Sequence, residues 1–587
     1  MGKRQRPVKR WKRLKAERAS GRAAHAGQTR LTTHSVGVLP ILNRILDQMK
    51  LEQFLQDYLP PEDGRTKLRS HRALMVLIRN TFTARAPIYG VGEWACGYAP
   101  DLLGLTEAEM ELLNDDRVGR ALDKLYKADH ASLALSVAAH VVKRFNVQLD
   151  QLHNDSTTIS FFGAYDAQGI ETTDPDRPEL VSITWGHSKD HRPDLKQLLY
   201  ILTVSRDGAI PIHYRAASGN VTDDVTHRDT WELLCQLAQR RDFLYVADCK
   251  LGASENMKTI HRNGGRFITV LPRTRREDTT FRQRLVRGEV RWRHIMDKVD
   301  DEGQVIDRFS SLREPALSQE GFRIWWFHST RKAELDTVAR AGRINRATAE
   351  LTQLQARLSS PKARIRTKEK ATEAVTQTLR QHGVEGLFTV KITACESELF
   401  RQERRGRPTK DTRYVRQVRT FCCLEFELDQ EAIGRDRTSD GVFPLITNVE
   451  SLSALEVLEA YKKQPLVEKR FSQLKTDFRV APVYLKSVRR IEALLCVYFF
   501  VMMTQALLER ELRLAMERAE TESVALYPEG RPCRRPTARL VIDLFEGVER
   551  HLLETGRRRQ AIMVTEISRA QRRILKLLHL SPSDYGR

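Results

Sequence analysis

Asp155 lies in LHNDSTTISFF, a run rich in β-branched and aromatic residues. A carboxylate in such a run is costly to bury without a metal, a cation or water. Asp248 closes the apolar run FLYVAD and is followed by CKLGASEN. An apolar strand that ends in an acid, then a glycine-bearing loop and a helix, presents that acid outside the carboxyl end of a sheet, where sites gather in α/β folds. Glu468 sits in YKKQPLVEKRFSQLKTDF. In that segment Tyr461, Gln464, Glu468 and Lys475 are spaced by three, four and seven residues. The spacing puts a phenol, an amide, a carboxylate and an ammonium on one helical face, with Pro465 predicting a boundary or kink upstream of Glu468. Taken singly, each acid also reads as a turn cap or a solvated face. Taken together, two Asp on neighbouring strands and a Glu on a later helix can hold two divalent ions that clamp the attacking and leaving oxygens of phosphoryl transfer. Ligands that are all carboxylates select Mg2+ or Mn2+ over zinc.

The elements that must position these acids follow from periodicity. Residues 1–30 hold many basic residues and one acid, Glu17, which predicts a disordered arm. Residues 31–147 read as a helical domain, with Val118, Leu122 and Leu125 as one stripe behind a cap at Asn114 or Asp115. Residues 148–272 change to short strands, STTISFFGAY, LVSITWG, KQLLYILTVS and PIHYRAA, then strands alternating with helices. That order implies a mixed sheet flanked by helices. Residues 273–450 read as an insertion with its own strands and a helical hairpin, residues 451–516 as helical again, and residues 517–587 as a basic helical region.

The chain has 587 residues, a net charge of +22 and 30% charged residues. That length predicts several domains, and that charge a polyanionic partner held through phosphates. Eight scattered cysteines without a C-x-x-C pair predict neither a zinc site nor a disulfide framework, and fit a reducing cytosol. The N-terminus lacks the apolar stretch of a signal peptide. Ala493 to Leu508, short for a bilayer and carrying Thr504 and Gln505, reads as a buried core helix, so no membrane partner is expected.

The Tyr461, Glu468, Lys475 pattern resembles the signature of the bacterial transposase superfamily typed by insertion sequence four, which carries Arg where this chain has Gln464. HNDSTTISFFG, GHSKDHRPDLKQ, SGNVTDD, DCKLGASEN, DGVFPLITN and RIEALLCVYFFVMMTQALL resemble, in order, the long-insertion branch of that superfamily. The resemblance implies an α/β chain with an RNase H-like core, a large β-rich and helical insertion and a helical N-terminal domain. It implies Asp155, Asp248 and Glu468 as catalytic metal ligands. The implied reaction is cleavage at insertion-sequence ends and strand transfer into target DNA by a homodimer holding two terminal inverted repeats, in the cytoplasm of a bacterium. It also makes Trp325 and Trp326, in the inserted region, candidates to stack on an extruded base. His187, Lys189, His191 and Arg192 crowd one loop that would contact phosphate or support the site, Lys475 would touch phosphate near the scissile bond, and Tyr461 and Gln464 would meet the DNA beside it. The alternatives are an RNase H-fold nuclease without strand transfer, and an inactive transposase-derived DNA-binding protein.

Overall fold

The computed structural model describes residues 29–585 except 85, 164, 166–180, 191, 222, 301, 361–362, 478–484, 528 and 556–557. The basic arm and His191 therefore lie outside the described residues. The chain divides into two compact units, Met1–Thr269 with Glu459–Arg587, and Val270–Leu458.

The first unit opens with strand β1 (Thr29–Ser35), followed by helices ending with Ser70–Thr83, Val91–Cys96, Glu107–Leu112, Asp115–Lys127 and His130–Phe145. Asn114 caps the Asp115–Lys127 helix, its side-chain oxygen accepting from the Arg117 N–H at 2.8 Å. Val118, Leu122 and Leu125 are buried along it. Five strands then form one sheet: β2 (Gln151–Phe161), β3 (Lys196–Ser205), β4 (Pro211–Ser218), β5 (Leu244–Val246) and β6 (Arg266–Val270). Their order is β4-β3-β2-β5-β6. The first three pair antiparallel, whereas β5 runs parallel to β2 and β6 parallel to β5. Helices Asp223–Ala238 and Ser254–Arg262 make the crossovers that parallel strands require. This is the RNase H-like arrangement. Of LVSITWG, expected as a strand, the described residues contribute only a bridge from Thr184 to Gln197.

In the second unit β7 (Arg293–Val299), β8 (Val305–Ser311), β9 (Ala316–Leu317) and β10 (Arg323–Ser329) pair antiparallel, with a later strand beside β10. Helices Thr330–Leu358 and Lys368–His382 form the expected helical hairpin. A two-stranded ribbon, β11 (Phe388–Gln402) and β12 (Tyr414–Leu428), packs on it, and β13 (Val442–Thr447) pairs with β10. The ribbon carries a disulfide between Cys395 and Cys423. Their separation of 28 residues held no sign of it, because only the strand pairing brings them together.

Back in the first unit, helix Val488–Arg518 is long and apolar enough to cross a membrane, yet it is buried almost throughout. Phe499 packs on Tyr214 of the sheet. Its other sides are covered by the N-terminal helices: Arg490 pairs with Asp123 at 2.7 Å, and Thr504 meets Met49. A helix apolar all round needs cover on every side. The N-terminal helices supply that cover and belong to the same compact unit. The C-terminal region, expected to be helical, instead holds β14 (Val524–Ala525), β15 (Pro532–Cys533), β16 (Glu549–Thr555) and β17 (Arg558–Val564) with helices Ala538–Phe545 and Arg569–Leu577. β16 pairs with both β17 and β1, a partner from the opposite end of the chain.

Candidate catalytic site

Asp155 lies on β2, and Asp248 lies just beyond the end of β5, the strand that runs parallel beside it. The register pairs His153 with Val246, and each aspartate lies two residues further on. The carboxyl end of β5 thus brings Asp248 beside the middle of β2, and the charges of both carboxylates act on the same phenol, that of Tyr461. Asp155 is half-buried. Its Oδ1 accepts from the Ser156 N–H at 2.7 Å, and Lys189 Nζ stands 3.6 Å away. Lys189 Nζ also donates to the Ser156 carbonyl at 2.8 Å and to its hydroxyl at 2.6 Å. Asp248 follows β5. Its Oδ1 accepts from the Lys250 N–H at 3.0 Å, and its carbonyl accepts from the Thr269 hydroxyl.

Behind Asp248 lies His227, on the Asp223–Ala238 helix, which the sequence reading missed. His227 is buried, with Nε2 4.0 Å from Asp248 Oδ1 and Nδ1 3.1 Å from the Tyr245 hydroxyl. The one available signal was its place three residues after the SGNVTDD segment.

The segment carrying Glu468 is not one continuous helix. Helix Ala454–Tyr461 ends, a turn follows, and Pro465 starts helix Pro465–Ser472, where its missing N–H is harmless. A π-turn over Gln473–Asp477 then shifts the phase before Lys475. The single face expected for Tyr461, Gln464, Glu468 and Lys475 is thus broken twice. Tyr461 nevertheless reports that the acids share one neighbourhood. Its phenol is pushed above the ordinary tyrosine range by burial and then by the charges of Asp248, Asp155, Cys249 and Glu468. Glu468 is exposed and makes no hydrogen bond or ion pair with any described residue. Among the described residues no three His, Cys, Asp or Glu lie close enough to ligate one ion, so the expected triad is not gathered into a closed metal cluster. The donor set itself, oxygen only and anionic, suits a hard divalent cation.

Gln464, expected at the DNA surface, is buried. Its Nε2 donates to the Asn154 carbonyl at 2.8 Å and its Oε1 lies 3.0 Å from His153 Nδ1. An amide held at both ends by β2 cannot contact DNA; it clamps the start of the Glu468 helix beside Asp155. Arg470, also overlooked, clamps the other side. It is buried and donates to the carbonyls of Ala209 at 3.0 Å and Gly208 at 3.2 Å, and to Glu509 Oε2 at 3.3 Å.

The loop of His187, Lys189 and Arg192 bridges the two halves of the site. Lys189 reaches the Asp155 strand, while its neighbour Asp190 accepts from Lys475 Nζ at 2.6 Å. His187 is exposed, and Arg192 is exposed and paired with Asp194 at 2.7 Å. Close backbone packing roots this loop: a Cβ on Gly186 would stand 1.8 Å from the Gly219 carbonyl oxygen, and one on Gly219 would stand 2.2 Å from that of Gln197. This explains glycine in both GHSKDH and SGNVTDD. Trp185, beside the loop, is 61% exposed, with Lys196 over its ring.

Trp325 and Trp326, in contrast, are 6% and 1% exposed. Trp326 stacks on Phe281 with ring centroids 3.7 Å apart. Alternation along a strand puts the two rings on opposite faces, but both faces of β10 are covered at these positions and neither ring is free. Stacking on a base is closed to both in this conformation.

Residues 162–504 match the family described as Transposase DDE domain, and residues 31–139 match a domain of unknown function, DUF4277. The first match spans more than half of the chain, which belongs to that transposase family. It is a DNA transposase, an enzyme that cuts DNA and transfers it, of a family that normally uses a divalent metal. Asp248 and Glu468 fall inside the matched span, and Asp155 falls just before it. Among solved structures, the chain is similar to a piggyBac transposase in a synaptic complex with hairpin DNA, with 7% identity and a TM-score of 0.35 over 85% of this chain and 79% of that chain. A comparison with curated proteins gives no match.

Proposed function

We propose that Asp155, Asp248 and Glu468 are the catalytic acids, and that they hold Mg2+ or Mn2+ while the enzyme cuts the ends of a bacterial insertion sequence and joins them to target DNA. The observation that carries this reading is the placement of Asp155 on β2 beside the carboxyl end of its parallel neighbour β5, which Asp248 follows. When bound, divalent ions would neutralise charge on the phosphoryl oxygens. Water attacks the phosphorus at an element end and frees a 3′ hydroxyl, which then attacks target DNA. Tyr461 stays protonated and can donate to a phosphate oxygen. Lys189 and Lys475, now paired with Asp155 and Asp190, can turn to phosphate as DNA arrives. His227 steadies Asp248 from behind. Of the exposed aromatics, Trp185 is better placed than Trp325 or Trp326 to stack on a base. Two ends cut together call for a homodimer on two terminal inverted repeats, acting in the bacterial cytoplasm at the nucleoid.

The test pairs cleavage with gel-shift binding on one end-containing duplex. Asp155→Asn, Asp248→Asn and Glu468→Gln should each slow cleavage at least about a hundredfold, the scale of losing a key charge-stabilising group, and leave binding essentially unchanged. Wild-type cleavage by any one of them removes that residue from the site. Cutting by the wild type without joining would favour a nuclease.

A further inference from the structure

The ribbon of the second unit extends beyond the core that supports it. Near its base, Ile392, Cys422 and Leu424 are buried with Leu351, Leu354 and Val375 of the helical hairpin. Further out, Phe400, Tyr414, Val415 and Val418 are exposed. A two-stranded ribbon is marginal alone in water, so a bare distal half is poised for a partner. The chemistry of that partner is written in the tip. Between Arg401 and Arg419 eight Lys and Arg face two acids, Glu403 and Asp411, which selects a polyanion. Arg404, Arg405, Arg407, Lys410 and Arg413 are exposed, and their side chains make no ion pair or hydrogen bond with a described residue.

Gly406 decides how the polyanion is met. Its φ is not in the left-handed region, and a Cβ there would touch nothing within 4 Å. Neither backbone strain nor internal packing therefore asks for glycine. A remaining use of glycine is to let a backbone lie close against a ligand. Pro408 holds Arg407 in an extended conformation. Arg405-Gly406-Arg407-Pro408 thus sets an arginine on either side of an open glycine, where the chain bends at the ribbon tip. The minor groove of A/T tracts is narrow and strongly negative, and attracts Arg. In G/C pairs the guanine amino group projects into the same groove.

We infer that the ribbon tip binds A/T-rich duplex DNA in the minor groove, with Gly406 against the groove floor and Arg405 and Arg407 lying along it. This rests on the chain's being a DNA enzyme, and not on which acids catalyse. The full-length protein is titrated, in chelator to prevent cutting, into labelled A/T-tract and G/C duplexes of equal length. Wild type should bind the A/T duplex about tenfold more tightly, the discrimination of one good base-edge contact. Gly406→Val keeps the charge and an allowed backbone, and should bring the two affinities together with an unchanged melting temperature. Arg405→Ala with Arg407→Ala should do the same while weakening both. A minor-groove-binding drug should displace wild type from the A/T duplex, and Glu468→Gln should keep the preference. Equal wild-type affinities, a Gly406→Val protein that keeps the preference, or equal binding to double-stranded RNA would overturn the inference. A chain that shows the preference but never cuts would count against the catalytic assignment alone.

Discussion

Gln464 and His153 share a hydrogen bond whose direction can be deduced. Gln464 spends its Nε2 on the Asn154 carbonyl, so its Oε1 accepts, and His153 Nδ1 must carry the proton. His153 Nε2 is then left to accept from Gln151 Nε2 at 3.0 Å. The imidazole is neutral, because burial pushes its pKa down to about 4. Gln464→Leu strands both His153 Nδ1–H and the Asn154 carbonyl in the interior. It should lower the unfolding free energy by about 2–3 kcal/mol and slow cleavage, since unpaired buried groups cost that much; unfolding at the wild-type denaturant midpoint would remove the clamp. Asp155 and Asp248 make a second residue-scale expectation. Side by side without an ion they repel, and a divalent cation relieves this. Mg2+ should raise the Tm of wild type, and raise it less in Asp248→Asn. An equal rise in both proteins would place the ion elsewhere.

At the scale of elements, the Glu468 helix is seated by Arg470 and Glu509. Burial would raise the Glu509 carboxyl, but Arg470, Lys469 and Arg513 together hold it below the usual carboxylate range. Lys469 Nζ is 3.2 Å from Glu509 Oε2, and Glu509 Oε1 also accepts from the Ala538 N–H at 3.1 Å. One carboxylate thus joins the catalytic helix, the long core helix and the C-terminal region. Glu509→Gln leaves the buried Arg470 charge without its counterion. Removing one partner of a buried pair typically costs about 3–5 kcal/mol. A denaturant titration should read a loss of that order; a loss below about 1 kcal/mol, the value of a surface pair, would mean that the backbone carbonyls of Gly208 and Ala209 suffice to hold Arg470.

Over the whole molecule, a net charge of +22 favours DNA but makes the fold repel itself. Acid adds to that repulsion through imidazoles that are buried, as His153 is, or half-buried, as His213 is. His213, like His153, is held to about 4 by burial, with the nearby Arg215 lowering it further. Unfolded, such a group titrates near 6.5. Between those values the unfolded chain binds the extra proton, so stability is full above about 6.5 and is lost as the pH falls toward 4. The contribution of His213 is up to roughly 3 kcal/mol. Denaturant midpoints should fall across that window, and His213→Gln, which does not touch the catalytic acids, should flatten part of the fall. Identical slopes for variant and wild type would show that His213 titrates normally.

The sequence by itself determined the kinds of element through most of the chain, though not in the C-terminal region, and where two of the acids sit. The apolar run of β3, the strand that stops before Asp248 and the Asn114 cap are written within a few neighbouring residues, where periodicity and capping operate. The break at Pro465 was legible for the same reason. Only the tertiary structure decided which side chains face solvent and which remote segments meet. Gln464 looked like a surface amide until β2 closed over it, and one of the two tryptophans looked free until both faces of β10 were covered. Cys395 and Cys423 met through a strand register, and β1 found β16, bringing Thr33 to His551 across 518 residues. Local pattern carries backbone preference, whereas burial depends on which distant surface arrives to exclude water, and no window of neighbouring residues contains that surface.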